Sequence, residues 1–267
     1  MRLRRFFKGI ALALTGALLL TVFALIVVLV FTPPPPQQSR RSALIIDSLY
    51  EWMPNEDVIK YMVDALSKVG YEVTVIKGRQ ADVAAFSNLS LYDLVVIRCH
   101  GAYLSPGETL GGRVLSDYAP VVFTGEIFSE CLPFSCKYYL ERLREEVIRG
   151  DFQVGESTVS VFALTPVFFE DMGGNFRKGS VVIVASCYGL SGRTLADVLI
   201  RKGVSFYISW DWKVSPHHMD ESLKMLVEEA LVKGRGWVEA VEATAGILGP
   251  DPLGGGKLKI VAGGEGG

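Results

Sequence analysis

Five short runs of apolar, largely β-branched residues set the strongest constraint on the fold of this chain. Most of these runs are apolar over successive residues, which is typical of parallel strands covered on both faces. Helical patterns lie between or after several of them, and strands alternating with helices predict an α/β fold. The runs are SALIID at 42–47, YEVTVIKG at 71–78, YDLVVIRC at 92–99, SVVIVASC at 180–187 and VSFYISW at 204–210.

The predicted fold is a doubly wound, mostly parallel sheet with helices on both faces. The helix after the first run has Asn55 as its cap, Glu56 and Asp57 in its first turn, and Gly70 after its end. Further helices are predicted at 189–203, from about 220 to 233 and around 237–244. For a doubly wound sheet of five runs we expect the strand order 2-1-3-4-5.

The predicted α/β domain covers residues 42–249, and an insertion at about 102–180 interrupts its alternation of strands and helices. Within the insertion we expect a strand at 120–125, a helix over 137–148 and a β-pair near 157–164. The glycine-rich tail, 250–267, is predicted to add one edge strand at 257–261.

Residues 9–31 carry no charge and are numerous enough to cross a bilayer core of about 30 Å as a helix. A secretory signal is the alternative, but its apolar region is usually shorter and leads to small residues. Here a proline-rich linker follows at 32–41, which favours an uncleaved anchor. Because residues 1–8 are basic, the positive-inside rule keeps them in the cytoplasm. We therefore expect a single-pass cell-membrane protein with an extracytoplasmic domain.

The formal charge of −2 is too balanced for a nucleic-acid footprint, so nucleic acid is not expected as a partner. Of four cysteines, only Cys131 and Cys136 are close in sequence. They either form a disulfide in an oxidising compartment or remain as two buried thiols, and without clustered histidines they make a poor metal site. No metal and no cofactor is predicted, and the oligomeric state cannot be read from the sequence.

Three chemically active residues follow apolar runs: Asp47, the pair His100-Gly101, and Cys187. In open α/β sheets, ligands bind beyond the carboxyl ends of the strands. An acid, an imidazole and a thiol are therefore predicted to face one cleft. We also expect a helix to begin soon after Cys187, so that its dipole favours a thiolate.

This pattern resembles the caspase-like clan of cysteine peptidases, which includes caspases, metacaspases, legumains, gingipains, separases and CHAT domains. The matching motifs are LVVIRCHG at 94–101 and VVIVASCYGLSG at 181–192, followed by a CHAT- and gingipain-like stretch at 195–215. The resemblance spans about 43–245. It implies a caspase-like fold and a peptide or protein substrate, with His100 as proton donor, Cys187 as nucleophile, and the N–H groups of Gly101 and Cys187 as oxyanion hole. Ser186, where many relatives have alanine, and the long insertion depart from the pattern.

The same resemblance suggests residues for substrate binding. Where the first strand ends, relatives line the pocket for the residue before the scissile bond, and Asp47 at that position implies cleavage after arginine or lysine. Asp211 is the second candidate for this role, and Trp210, Asp211 and Trp212 follow the fifth run, where relatives often build a wall of the pocket. An alternative for each is purely structural: Asp47 as the cap of a loop and Trp210 as packing. His217 and His218 are expected in a solvated loop just before a helix capped by Asp220.

Two other functions remain open at this level. A class I amidotransferase-like enzyme also places a cysteine after an α/β strand, but with the nucleophile before the histidine and on a different elbow. A caspase-fold module that binds peptides or signals without turnover is the other alternative.

The charge asymmetry around residues 9–31 gives a prediction of topology. In intact cells or spheroplasts that carry the full chain, a protease added from outside should degrade the folded domain. Protection of the domain until the cells are lysed would reverse the predicted orientation.

Overall fold

A computed structural model describes residues 41–132 and 135–264 of the chain. The predicted membrane span at 9–31 and its flanking segments up to residue 40 lie outside the described residues. Among the helices of the described part, none is both long and apolar enough to cross a membrane.

The described residues form twelve strands and six α-helices, with shorter 3₁₀ segments at Gly78–Gln80 and Val83–Leu91 and a π-helical turn at Glu228–Val232. In chain order the strands are β1 Arg41–Asp47, β2 Tyr71–Lys77, β3 Leu94–Arg98, β4 Gly101–Leu104, β5 Thr109–Leu110, β6 Arg113–Val114, β7 Ala119–Ile127, β8 Val147–Val154, β9 Ser157–Leu164, β10 Val181–Ala185, β11 Phe206–Trp210 and β12 Leu258–Ala262. The helices are α1 Glu56–Lys68, α2 Tyr139–Leu143, α3 Pro166–Asp171, α4 Thr194–Arg201, α5 Pro216–Val227 and α6 Trp237–Leu248.

The central sheet has six strands in the order β12-β11-β10-β3-β1-β2. The mostly parallel α/β sheet predicted from the sequence is confirmed, and the five apolar runs lie in the order 2-1-3-4-5. Strand β12 pairs antiparallel with β11 at the edge, close to the expected strand at 257–261. Because side chains alternate along each strand, the sheet buries one apolar layer against α1, α5 and α6 and a second against α4 and the 3₁₀ segment at Val83–Leu91.

A second, antiparallel sheet, β4-β7-β9-β8, is built from residues inserted between β3 and β10. The helix predicted over 137–148 is wrong in its second half: α2 ends at Leu143, and β8 begins at Val147. The reason is tertiary, because β8 pairs along its whole length with β9 through a hairpin whose turn includes Gly155 at φ 60°. Local helix propensity is easily outweighed by such a ladder.

Helix α5 begins four residues earlier than predicted. Pro216 occupies its first turn after Ser215, so His217 and His218 lie in the helix and not in a loop. Asp220, which the sequence suggests as a cap, is instead inside the helix and buried.

A buried ion network joins the carboxyl ends of β1 and β3 to α5. The Arg98 guanidinium donates to both carboxylate oxygens of Asp220, at 2.7 and 2.9 Å, and to Asp47 Oδ1 at 3.0 Å. Its Nη1 also donates to the carbonyl of Met53 at 2.9 Å, and Asn55, the cap of α1, donates to Asp220 at 2.7 Å. One cation thus fixes two strand ends and two helices.

Loss of this cation should be costly for folding. Arg98→Met leaves two buried carboxylates without compensation, and we expect a loss of about 3–5 kcal/mol in the free energy of unfolding, measured by urea denaturation near neutral pH. Lys77→Met, which removes the ion pair of the half-buried Lys77 with the exposed Glu56, is the matched control and should change stability little. Equal effects of the two substitutions would contradict the central role of Arg98.

Candidate functional site

The register of the central sheet brings His100 and Cys187 to the same level. Strands β3 and β10 are parallel neighbours in which Arg98 lies opposite Ala185, and each functional residue follows two positions later. The Cys99 N–H donates to the Ala185 carbonyl at 3.0 Å, which continues the pairing beyond the strand ends. Neighbouring strands are about 4.8 Å apart. The prediction that the two residues share one end of the sheet is therefore consistent with the strand register.

Gly101 packs directly on the backbone at Cys187. A Cβ atom on Gly101 would lie 2.4 Å from the Cys187 carbonyl oxygen and 2.9 Å from the Ser186 hydroxyl. A distance of 2.4 Å to backbone is shorter than any real side chain tolerates, so only glycine fits here without movement of the chain. The His-Gly pair and the cysteine thus come into contact through this glycine.

Alternation along the strands separates the two free thiols. Cys99 is fully buried in the apolar layer on the α4 side, while Cys187 is partly exposed and packs against the opposite layer. Because side chains alternate along an extended chain, Cys99 points away from His100 and Cys187.

The Cys187 thiol is held by the backbone at Val214. Its Sγ lies 3.4 Å from both the N–H and the carbonyl oxygen of that residue. Burial raises the pKa of Cys187, and the Val214 N–H offsets part of this effect. The expectation of a thiolate favoured by a helix dipole therefore needs correction: α4 begins only at Thr194, because a loop at 187–193 intervenes.

The His100 ring is partly buried beneath the inserted sheet. Its ring centroid is 4.0 Å from that of Phe152 on β8, and its Nε2 atom is buried without a hydrogen-bond partner. Burial, assisted by the positive charge of Arg98, lowers the pKa of His100 to about 4. At neutral pH the site therefore contains a neutral imidazole and a neutral thiol.

Beside Cys187 lies a group of four rings that we call the aromatic cluster. Tyr103 is 4.8 Å from Tyr188 and 4.9 Å from Tyr118, measured between ring centroids, and Tyr188 is 5.0 Å from Trp212. Trp212 is 43% exposed. Tyr188, next to the cysteine, takes the left-handed conformation with φ 63°, and its N–H donates to the Trp212 carbonyl at 3.1 Å.

The sequence indicated only one member of this cluster. Trp212 follows the fifth apolar run, but nothing in the spacing connects it with Tyr103 or Tyr118. These two tyrosines come from the inserted segment, and the closest sequence signal is that Tyr103 follows the His-Gly pair by two residues.

Asp47 is not placed as the predicted pocket residue. It has no exposed surface, its Oδ1 accepts from Arg98, and the Leu49 N–H donates to the same oxygen at 3.2 Å. Burial raises the pKa of Asp47, whereas Arg98 opposes that shift. The predicted contact with a basic substrate side chain needs correction, since Arg98 already occupies the position of that cation.

Trp210 and Asp211 both make contacts within the fold. Trp210 is fully buried in the layer that contains α5 and α6, so it is a core residue and not the predicted pocket wall. Asp211 accepts from the Lys257 N–H at 2.8 Å and pairs with Lys259 at 2.8 Å. It fastens β12 to the sheet, and its role in substrate binding stays a prediction.

The two cysteines that are close in sequence, Cys131 and Cys136, form a disulfide. In residues 41–132 and 135–264, no three side chains of histidine, cysteine, aspartate or glutamate converge as metal ligands. His217 is exposed and His218 is half-buried on α5.

Comparison with known proteins does not assign this chain to a family. No family model matches the chain, and no curated protein matches it. Among solved structures, a flavodoxin of Streptococcus pneumonia TIGR4 is similar over 72% of this chain and 98% of its own, at 13% identity and a TM-score of 0.32. A short-chain flavodoxin associated with a non-canonical PDU bacterial microcompartment covers 72% and 96%, at 14% identity and a TM-score of 0.31. Likenesses this low carry no argument about function.

Thiol labelling should distinguish the free cysteines. We expect iodoacetamide to modify Cys187 in the folded protein, slowly at about pH 7 and faster at about pH 9, because its raised pKa keeps the thiol protonated. Cys99 should stay unmodified, since burial raises its pKa to about 12 and closes access. Peptide mass mapping would read the sites. Labelling of Cys187 as fast at pH 7 as at pH 9 would indicate a thiolate and contradict this description.

Proposed function

We propose that this protein is a membrane-anchored cysteine endopeptidase that acts through His100 and Cys187. The observation that carries the proposal is the contact of Gly101 with the backbone of Cys187, which joins the two motifs at one end of the sheet. The Cys187 thiol is partly exposed, and the Nε2 atom of His100 lacks a hydrogen-bond partner. These are the nucleophile and the proton carrier that acyl transfer requires.

The proposed reaction begins from the neutral pair. As Sγ of Cys187 bonds to the carbonyl carbon of the substrate, the thiol proton passes to the His100 imidazole. The carbon–nitrogen bond then breaks, and the departing amine takes that proton. Water hydrolyses the thioester: its oxygen bonds to the acyl carbon, the carbon–sulfur bond breaks, and Sγ regains a proton. The N–H groups of Gly101 and Cys187 would hold the charge on the carbonyl oxygen.

The substrate has to change the protonation balance of the pair. A His100 pKa of about 4 means that the imidazole is unprotonated at neutral pH but is a weak base towards a thiol whose own pKa is raised. A substrate that brings a polar leaving group against Nε2 would supply the hydrogen bond that this atom lacks in the free protein, and would favour the protonated form when it is needed.

The aromatic cluster supports a substrate with an apolar or aromatic side chain near the scissile bond. Its member Tyr188 follows Cys187 directly in the chain, and Trp212 is half-exposed. Such surfaces bind flat or apolar groups well. Preference for arginine or lysine is not part of the proposal, because the carboxylate of Asp47 is paired with Arg98.

The second candidate is a peptide-binding module without turnover. The stacking of Phe152 on His100 favours it, since a ring at 4.0 Å shields the imidazole from an approaching leaving group. In that case the aromatic cluster and the thiol would serve binding alone.

Substitution of His100 or Cys187, which we call the dyad, separates the peptidase from the binding module. Cys187→Ala and His100→Ala should each abolish hydrolysis of a peptide library while unfolding remains cooperative, because neither side chain fills a large core volume. Activity of wild-type protein would be followed by mass spectrometry of the library.

Cys99→Ala is the matched control, since it removes a thiol one residue from His100 on the opposite side of the sheet. We expect it to lower stability by about 1 kcal/mol and to leave turnover intact. Wild-type turnover by Cys187→Ala would refute the peptidase proposal. Peptide binding without cleavage by the unmodified protein would favour the binding module.

A further inference from the structure

A cavity of about 350 Å³ lies between the 3₁₀ segment at Val83–Leu91, α2 and α3, and none of its lining residues belongs to the dyad or the aromatic cluster. It has three carboxylates, Glu141, Glu146 and Asp171, and no basic residue in its wall. Its volume lies within the range of about 300–1,000 Å³ that is usual for small-ligand sites.

Glu146 is the residue that distinguishes this cavity from an ordinary acidic surface. It is only 6% exposed, and its Oε1 atom is buried without a hydrogen-bond partner. Arg144 approaches that oxygen to 3.5 Å, but its own side chain is 64% exposed and the contact is too long for a hydrogen bond. Burial raises the pKa of Glu146, the neighbouring carboxyl of Asp171 raises it further, and Arg144 opposes the shift. A buried acceptor of this kind is costly unless something donates to it.

The backbone holds Glu146 in this position. Glu145 takes the left-handed conformation at φ 59°, and its carbonyl accepts from the Thr165 hydroxyl at 2.7 Å. The Glu146 carbonyl accepts from the Thr165 N–H at 3.0 Å. The Glu146 N–H donates to the backbone carbonyl of Glu141 at 2.8 Å. The carboxylate is thus directed by fixed main-chain contacts on both sides of the residue.

The rest of the wall selects the kind of cation. Across the described residues the carboxylates do not converge as ligands of a metal ion. Val83, Phe168 and Met172 give the cavity an apolar side, which suits an aliphatic stem, while a planar guanidinium or an ammonium can donate several hydrogen bonds to carboxylates.

We propose that this cavity binds an organic cation, a guanidinium or primary ammonium on an aliphatic stem, with Glu146 as its principal acceptor. The site is independent of the proposed peptidase chemistry. The same chemistry is offered by a basic side chain of a protein and by a free polyamine.

Titration calorimetry on the full chain tests the proposal with n-butylguanidinium and its neutral isostere n-butylurea, at about 0.15 M salt so that weak surface attraction is screened. We expect saturable binding of butylguanidinium and none of butylurea. Glu146→Gln should weaken binding by at least about tenfold, as expected for a hydrogen bond to a charged group. Glu170→Gln, which alters the exposed partner of Arg201 on the same helix α3, should bind as the wild type does.

Asp171→Asn serves as a second variant in case Glu146→Gln does not fold, since Asp171 is exposed and its loss should not disturb the core. It should also weaken binding. Tighter binding of the peptide acetyl-Gly-Arg-Gly-amide than of spermidine would identify a protein side chain as the source, and the reverse would identify a polyamine. Absence of saturable butylguanidinium binding, equal binding of butylurea, or wild-type binding by both variants would overturn the proposal.

Discussion

The pairing of Arg98 with Asp47 and Asp220 is the interaction on which the described domain depends. Arg98 is 1% exposed, and it meets both carboxylates within 3.0 Å. Ions can be buried only when they are paired and hydrogen-bonded, so the ends of β1 and β3 and the start of α5 must assemble together or not at all. His100 follows Arg98 by two residues, and this network therefore fixes the strand end from which His100 extends.

The inserted sheet adds a second constraint, which acts on chemistry more than on folding. Its strand β8 brings Phe152 to 4.0 Å from the His100 ring and removes water from the imidazole. Removal of water disfavours the charged form, which is why the pKa of His100 falls to about 4 while that of Cys187 rises. The insertion also supplies Tyr103 and Tyr118, so it both shields the dyad and builds the surface beside it.

Two groups of buried carboxylates in this protein differ in how their negative charge is neutralised. Asp47 and Asp220 share the guanidinium of Arg98, and their contacts are complete except for one oxygen of Asp47. Glu146 has a long contact with an exposed arginine, lies near a second carboxyl, that of Asp171, and opens on a cavity. The first arrangement stabilises the fold, whereas the second leaves a position for a cation from outside. The two groups differ in whether a buried cation neutralises the carboxylates, and not in the number of acidic residues. This difference separates a structural site from a candidate binding site.

The central sheet could be predicted from local sequence patterns: its apolar runs, the order of its five parallel strands, and the position of His100 and Cys187 at neighbouring strand ends. These follow because burial on both faces imposes a continuous apolar pattern that is readable over a few residues. The other features depend on long-range contacts. Partners distant in the chain determined that residues 147–154 form a strand, that Asp47 is neutralised by Arg98, that Trp210 is core, and that Glu146 faces a cavity. Pairing, burial and pKa shifts of this kind depend on contacts between segments tens of residues apart, which local patterns do not encode.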